Sequence, residues 1–467
     1  MSTRIKAILR VFGAVTALSS LIILPSLLLA ALWHENTVLP FIEAMLPAFA
    51  AGSLLWFLFR NNRYELRLRD GFLITGGIWL IASLVTAIPF YLALPQLTFT
   101  DAVFESTSGL TTTGATMLTG LDGLPKSLLF FRSSLNFFGG MGIVILAVAV
   151  LPMLKIGGMH LFKAESTGPV KDNKLTPRIA ETARTLWVVY LGLNVLCALA
   201  YWFGGMSLFD AVNHAMTTIA TAGFSTHDAS FAYWNSPLIE TIATIFMLLG
   251  GISFSLHWYA WRAATISHYQ ANSELRGFLA IAAVFIVIVT VYLMLAGEIN
   301  GYSQSFRAAM FQVVSHITTT GYASTGFSHW PGMLPILMIM LAFIGGCSGS
   351  TSGGIKVARV QLVIQQGLRE LKPPTVFGID WRAPVPFYFL ALSCAMAGYF
   401  LVRYIVRAPF GVALQGVRDN PRRMEALGFN VVAHRVAAYA LSGLLAAVGG
   451  VLMAWYNALM TPGSVGT

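Results

Sequence analysis

Ser108-Gly109-Leu110-Thr111-Thr112-Thr113-Gly114 recurs in altered letters as Thr217-Thr218-Ile219-Ala220-Thr221-Ala222-Gly223 and as Ser315-His316-Ile317-Thr318-Thr319-Thr320-Gly321. Each copy has a hydroxyl residue six positions before its last glycine and a threonine two before it. Only a small hydroxyl or methyl side chain separates that threonine from the glycine. Each copy lies between long apolar segments. Lipid cannot satisfy the backbone of a short polar loop, so such a loop inside a membrane must line water or ions. Rings of carbonyl oxygens from loops of this kind replace a cation's hydration shell. A four-fold ring needs a fourth copy, and the sequence has none in this frame.

The composition agrees with a membrane setting. The 467 residues are 56% hydrophobic and 10% charged, with a mean hydropathy of +0.72. A soluble domain carries roughly a quarter charged residues. Apolar runs near the ~20 residues needed to span a bilayer are expected at 11–33, 39–59, 71–94, 128–154, 185–203, 238–260, 278–296 and 333–343. Basic residues follow alternate spans: Arg60, Arg63, Arg67 and Arg69; Lys155 to Arg184; Arg262 and Arg276; Lys356, Arg359, Arg369 and Lys372. With the N-terminus cytoplasmic, all four groups fall on the cytoplasmic side. The same bias accounts for the formal charge of +10. No soluble basic cluster exists to bind nucleic acid. Arg4, Lys6 and Arg10 precede a run with no small-residue cleavage site, which reads as a first span and not a signal peptide. Cys197, Cys347 and Cys394 have no metal-ligand spacing and read as small buried side chains. No Walker motif, nucleophile elbow or zinc cluster suggests an enzyme.

The repeat extends beyond the loops. Twelve residues before each loop glycine stands an alanine: Ala102, Ala211 and Ala309. A Gly-Gly pair follows each loop in the next span: Gly139-Gly140, Gly250-Gly251 and Gly345-Gly346. The expected fold is therefore an all-α polytopic membrane protein of pseudo-symmetric units, each a span, a pore half-helix, a filter loop and a span. The expected divisions are an N-terminal helix pair at 1–70 and pore repeats at 71–155, 156–262 and 263–372, with the fourth repeat missing.

Glycine reaches the backbone angles that turn consecutive carbonyls toward one axis, and Gly114, Gly223 and Gly321 fill that need. Thr112, Thr221 and Thr319 stiffen the strand and can offer hydroxyl oxygen at its cytoplasmic end. The half-helices should end near Leu110, Ile219 and Ile317, with their partly negative C-terminal ends facing an ion. No carboxylate ring favours divalent ions. Asp101, Glu105 and Asp210 either draw cations to the mouth or serve as caps and surface groups. His214 and His316, at unequal offsets from their glycines, read as packing and hydrogen-bonding residues. The run Gly345-Gly346-Cys347-Ser348-Gly349-Ser350-Thr351-Ser352-Gly353-Gly354, with Lys356 just beyond, cannot continue a helix well. It is expected to interrupt the third unit's last span, as a movable barrier below the filter or as a close helix-packing face.

These loops, this small-residue run and the extra first pair of spans resemble the TrkH subunit of bacterial potassium uptake systems, within the Trk/Ktr/HKT superfamily, over residues 1 to about 372. The resemblance implies a filter at Thr111, Thr112, Thr113, Gly114 and Ala115, at Ala220, Thr221, Ala222, Gly223 and Phe224, and at Thr319, Thr320, Gly321 and Tyr322. It implies a gate at Gly345 through Gly354 with Lys356. It further implies K+ as the transported ion with no covalent cofactor, a homodimer in the bacterial inner membrane, and a cytosolic TrkA-type nucleotide-binding regulator.

The remainder departs from that family. Residues 373–467 show no fourth loop. They resemble the permease subunits of branched-chain amino-acid ABC importers of the LivM type, on Ala408-Pro409-Phe410-Gly411, Val417-Arg418-Asp419-Asn420, Glu425-Ala426-Leu427-Gly428 and Tyr439-Ala440-Leu441-Ser442-Gly443. That resemblance implies a coupling loop near 418–430 for an ABC ATPase. One span at 386–402 would put Arg403, Arg407, Arg418, Arg422, Arg423 and Arg435 outside, against the positive-inside bias. The expectation is a join near Lys372-Pro373, a second span at 436–459, and a second module that is also partial. A fusion product without transport is the third alternative.

Overall fold

The computed structural model of the chain describes residues 3–61, 68–142, 179–297, 299, 301–371, 375–376, 379–380 and 384–457. The end of the expected fourth span, most of the basic segment after it, and the expected join at Lys372-Pro373 lie outside the described residues. Apart from loops and one short ladder pairing Thr375–Val376 with Ile379–Asp380, the described chain is helical. Seven described helices are long and apolar enough to cross a membrane, and one bent pair makes an eighth candidate. The chain forms two compact units, Met1–Gln361 and Leu362–Thr467.

The first unit opens with α1 (Thr3–Leu21), α2 (Leu24–Leu32) and α3 (Val38–Phe59). The helix starts before the expected Val11, and its first turns are held by buried Ala7 and by the Arg4–Asp70 ion pair at 2.6 Å. Pro25 in the first turn of α2 marks the joint with α1. Gly13 of α1 and Gly52 of α3 face one another so closely that a methyl on either would press into the opposite backbone. Small residues let membrane helices approach in this way.

Three units of similar design follow. The first comprises α4 (Leu68–Ala93), α5 (Phe99–Leu110) and α6 (Lys126–Gly140). The second comprises α7 (Ile179–Phe203), α8 (Leu208–Ile219), α9 (Pro237–Gly251) and α10 (Phe254–Ala263). After α11 (Ser267–Ala271), the third comprises α12 (Ser273–Ala296), α13 (Tyr302–Ile317) and α14 (Leu334–Ile344). The short helices α5, α8 and α13 end at the expected Leu110, Ile219 and Ile317. Two are started by side-chain caps: Thr98 and Ser207 each accept from the N–H of an aspartate in the first turn, Asp101 and Asp210. Ala102, Ala211 and Ala309 are fully buried, which explains why a larger side chain is absent at that position.

One expected span is not straight. The run 238–260 is broken after Gly251, and α9 and α10 meet at 97°. Gly250-Gly251 weakens the helix, but the break also needs partners for the backbone groups it frees. The Gly251 carbonyl accepts from the Cys347 N–H at 2.8 Å, and the Phe254 N–H donates to the Gly349 carbonyl at 3.1 Å. His257 Nε2 lies 2.9 Å from the Leu249 carbonyl oxygen. The small-residue run of the third unit therefore sits in the gap of the second.

α15 (Val357–Leu371) contains the boundary between the units, upstream of the expected join. Within the second unit, the long apolar helices α16 (Pro384–Arg407) and α19 (Val431–Asn457) enclose α17 (Pro409–Asp419) and α18 (Pro421–Ala426) in the chain. The arginine-rich stretch is thus two short helices, the second capped by Asn420, whose side chain accepts from the Arg423 N–H at 3.1 Å.

Candidate functional site

The three loops have one backbone. Thr112, Thr221 and Thr319 have φ of 54°, 48° and 57°, and Gly114, Gly223 and Gly321 have 77°, 83° and 83°. A β-branched residue in the left-handed region is an outlier, and here it occurs three times in the same frame. The N–H before each glycine (Thr113, Ala222, Thr320) donates to the carbonyl of Ser108, Thr217 and Ser315, at 2.9, 3.0 and 2.8 Å. The threonine N–H donates to Gly109, Thr218 and His316, at 3.2, 3.0 and 2.9 Å. Each loop thus closes back on the end of its own half-helix.

The glycines also report how the loops meet. A methyl on Gly114 would overlap the Ala222 carbonyl oxygen and lie 3.7 Å from that of Thr320. A methyl on Gly223 would overlap the Thr320 carbonyl oxygen. One at Gly321 would meet nothing within 4 Å. The three strands therefore lie side by side, Gly114 and Gly223 each against a carbonyl of the next loop. The last glycine has no such described neighbour.

The residues after the second and third glycines point back to the preceding unit. Phe224 is buried beside Gly109, where a methyl would come 3.3 Å from its ring. The Tyr322 hydroxyl meets those of Thr217 and Thr218, the latter at 3.1 Å. Ala115, the third member of this set, is exposed. The Ala115 and Tyr322 carbonyls accept from Ser108 Oγ and Ser315 Oγ at 2.5 and 2.8 Å, which assigns a task to the hydroxyl six residues before the glycine. Ala115 and Tyr322 thus anchor their strands to the half-helices.

One regularity escaped the sequence reading, which compared His214 with His316. Nine residues before the three glycines stand Glu105, His214 and Gln312, all fully buried. Each reaches the segment just past its filter. Glu105 accepts from Thr116 Oγ1 at 2.9 Å and from the Met117 N–H at 3.0 Å. His214 Nε2 lies 3.0 Å from Ser225 Oγ, and Gln312 Nε2 donates to the Thr325 carbonyl at 3.1 Å. The available signal was a buried-size polar residue at a constant offset, not a constant letter. His316 packs edge-on against Phe327, with ring centroids 4.5 Å apart. Asp101 completes the capping box of α5, whereas Asp210 accepts from Ser207 Oγ and Thr226 Oγ1, each at 2.7 Å. The exposed Asp122 carboxylate pairs with His227, whose hydrogen bond holds it below its ordinary pKa range.

The run Gly345 to Lys356 is non-helical between α14 and α15. It lies against the inner ends of loops two and three. Thr351 Oγ1 donates to the Ile219 carbonyl at 2.8 Å, Ser352 Oγ to the Thr318 carbonyl at 2.6 Å, and the Gly353 N–H to Thr319 Oγ1 at 2.7 Å. Lys356 Nζ folds back to the Ser352 carbonyl. The Ser348 N–H donates to Glu274 Oε1 at 2.6 Å. Gly345 and Gly354 press together so closely that neither could carry a methyl, and Gly346 abuts Ser352. The other Gly-Gly pairs act at the half-helix ends: a methyl on Gly139 would overlap the Leu110 carbonyl, and one on Gly250 would lie 3.1 Å from that of Ile219.

The family model of the TrkH cation transport proteins matches residues 40–374. The chain belongs to this family. The Trk system potassium uptake protein TrkH of Escherichia coli (strain K12) is 47% identical over 380 residues, covering 80% of this chain and 78% of that protein. TrkG of the same strain is 38% identical over 371 residues, covering 79% and 76%. Among solved structures, the crystal structure of the potassium transporter TrkH from Vibrio parahaemolyticus superposes with a TM-score of 0.71 at 39% identity, covering 89% of this chain and 86% of that one. A multi-span membrane protein of the TrkH family therefore carries the three loops and the small-residue run.

Proposed function

We propose that the chain is a potassium-translocating subunit whose filter is formed by Thr111–Ala115, Ala220–Phe224 and Thr319–Tyr322. The supporting observation is the threefold recurrence of one backbone, with two of its glycines seated on a neighbour's carbonyl. Carbonyl dipoles at fixed positions replace the water that K+ sheds. Three half-helices aim their partly negative ends at the same region. Gly345 to Gly354, pinned by Lys356 and hydrogen-bonded to the inner filter ends, is the barrier across the pathway. Its bonds run through exchangeable hydroxyl and backbone groups, which suits a segment that moves aside.

Among the described residues, no fourth loop closes the ring. Loss of a quarter of the oxygens leaves the ion undercompensated for its water, and an uncompensated charge is expensive to bury. The chain alone supports little or no selective potassium uptake. Residues 373–467 carry no loop of this frame, and a LivM-like reading of them would call for an ABC ATPase as partner only if that segment acts as a permease. The working form is a homodimer in the lipid of the bacterial inner membrane, N-terminus cytoplasmic, with a TrkA-type nucleotide-binding regulator acting on the barrier. Uptake of 86Rb+ into proteoliposomes, in competition with K+ or Na+, tests this reading. Competition by both ions alike, or no uptake, is expected. Tenfold stronger competition by K+ would overturn the broken-ring account.

A further inference from the structure

One buried ion pair connects two filter loops, and its arginine has no basic counterpart in the other two units, where Thr241 and Ile339 stand at the same offset from the glycine. Arg132 of α6 is 2% exposed and Glu105 of α5 is 0% exposed. Charges at such depth persist only when paired and fully hydrogen-bonded. Arg132 Nε donates to Glu105 Oε1 at 2.6 Å, and Nη1 donates to the Ser225 carbonyl at 2.8 Å. The guanidinium carbon stands 3.6 Å above the Phe224 ring. Glu105 in turn holds Thr116 and the Met117 N–H. One arginine thus grips the segment just past filter loop two directly, and the segment past filter loop one through Glu105.

We propose that Arg132 is a positioning residue that fixes two neighbouring filter loops relative to each other, and that Glu105 cancels its charge beside the cation path. The proposal rests on the reading of these loops as an ion filter. A bare guanidinium there would repel the transported ion through a medium that screens poorly, so the carboxylate serves both as tether and as counter-charge. A planar guanidinium presents several donors in a rigid fork and can serve Glu105 and Ser225 together. A lysine ammonium on its flexible stem cannot replace that geometry.

Hydrogen–deuterium exchange of the full chain in lipid nanodiscs, in KCl and in choline chloride, tests the proposal. Arg132→Lys keeps the charge pair but loses the Ser225 carbonyl. Exchange across 224–228 should rise at least about tenfold, the factor for a lost hydrogen bond to a charged group. Residues 115–118 should stay within about twofold. Arg132→Met should release both segments, while α12 exchanges as in the parent. Unchanged exchange at 224–228 in Arg132→Lys, or an equal rise in every helix, overturns the positioning role. Should Arg132→Lys fail to fold, Phe224→Leu removes the ring under the guanidinium and must loosen 224–228 without loosening 115–118. The salt arm reads the filter assignment separately. Equal exchange of the parent's three loops in KCl and choline would count against the filter while leaving the Arg132 result intact.

Discussion

Loops one and two share a backbone but not an environment. Ala220, Ala222 and Phe224 are buried, whereas their counterparts Thr111, Thr113 and Ala115 are exposed; Thr221 is buried and its counterpart Thr112 half-buried. Loop two has a neighbour on each side: loop one against its Phe224 edge and loop three against its glycine edge. Among the described residues, loop one meets another loop of this frame only at its glycine. The comparison separates two causes. Each strand's shape is set locally, by the left-handed threonine and glycine and by bonds to its own half-helix. Its burial is supplied by the next unit around the axis. Among the described residues, no loop of this frame flanks Ala115 on one side or Gly321 on the other.

Alanine at the three glycines should break this comparison most sharply. Every site carries left-handed strain of about 1–2 kcal/mol for a side chain. At Gly114 and Gly223 the methyl also meets a backbone carbonyl that cannot rotate away. Overpacking adds about 1–3 kcal/mol. Thermal unfolding in detergent should show Gly114→Ala and Gly223→Ala well below Gly321→Ala. Three equal losses would mean that a fourth strand flanks Gly321 after all.

Tyr322→Phe probes the seam between loops two and three. It removes the hydroxyl that meets Thr217 and Thr218, which keep their bonds to Asn213, His214 and Tyr201, so the cost is about 0.5–1.5 kcal/mol for the lost hydrogen bond. The same unfolding assay reads it. An unchanged midpoint would show that water or a new rotamer replaces the hydroxyl.

How much of this could be read from the letters follows from the same division. The loop frame was legible because glycine, threonine and small neighbours are demanded by local backbone geometry. The set Glu105, His214 and Gln312 was hidden because three different side chains perform one task, and only the placement of Ser225, Thr325 and Met117 reveals it. The break between α9 and α10 was equally hidden. The apolar letters continue across Ile252, and the groups that satisfy the freed backbone, at Cys347 and Gly349, arrive from a distant part of the chain. The second unit was legible as two apolar helices, whereas its arginine-rich stretch gave no sign of α17 and α18.

Ala115→Phe carries the smallest expected effect and sharpens the open side. At the equivalent positions Phe224 and Tyr322 fill space in the preceding unit. At Ala115 the side chain is exposed, so a phenyl ring should change stability by no more than about 0.5 kcal/mol. A loss of several kcal/mol in the unfolding assay would reveal a wall there.

The most direct measurement is ion preference itself: 86Rb+ entry into liposomes holding the purified chain, displaced by graded K+ or Na+. An incomplete coordination shell predicts matching displacement curves or no entry. A K+ curve lying tenfold or more below the Na+ curve would mean that a full ring of oxygens surrounds the ion, and would contradict the account.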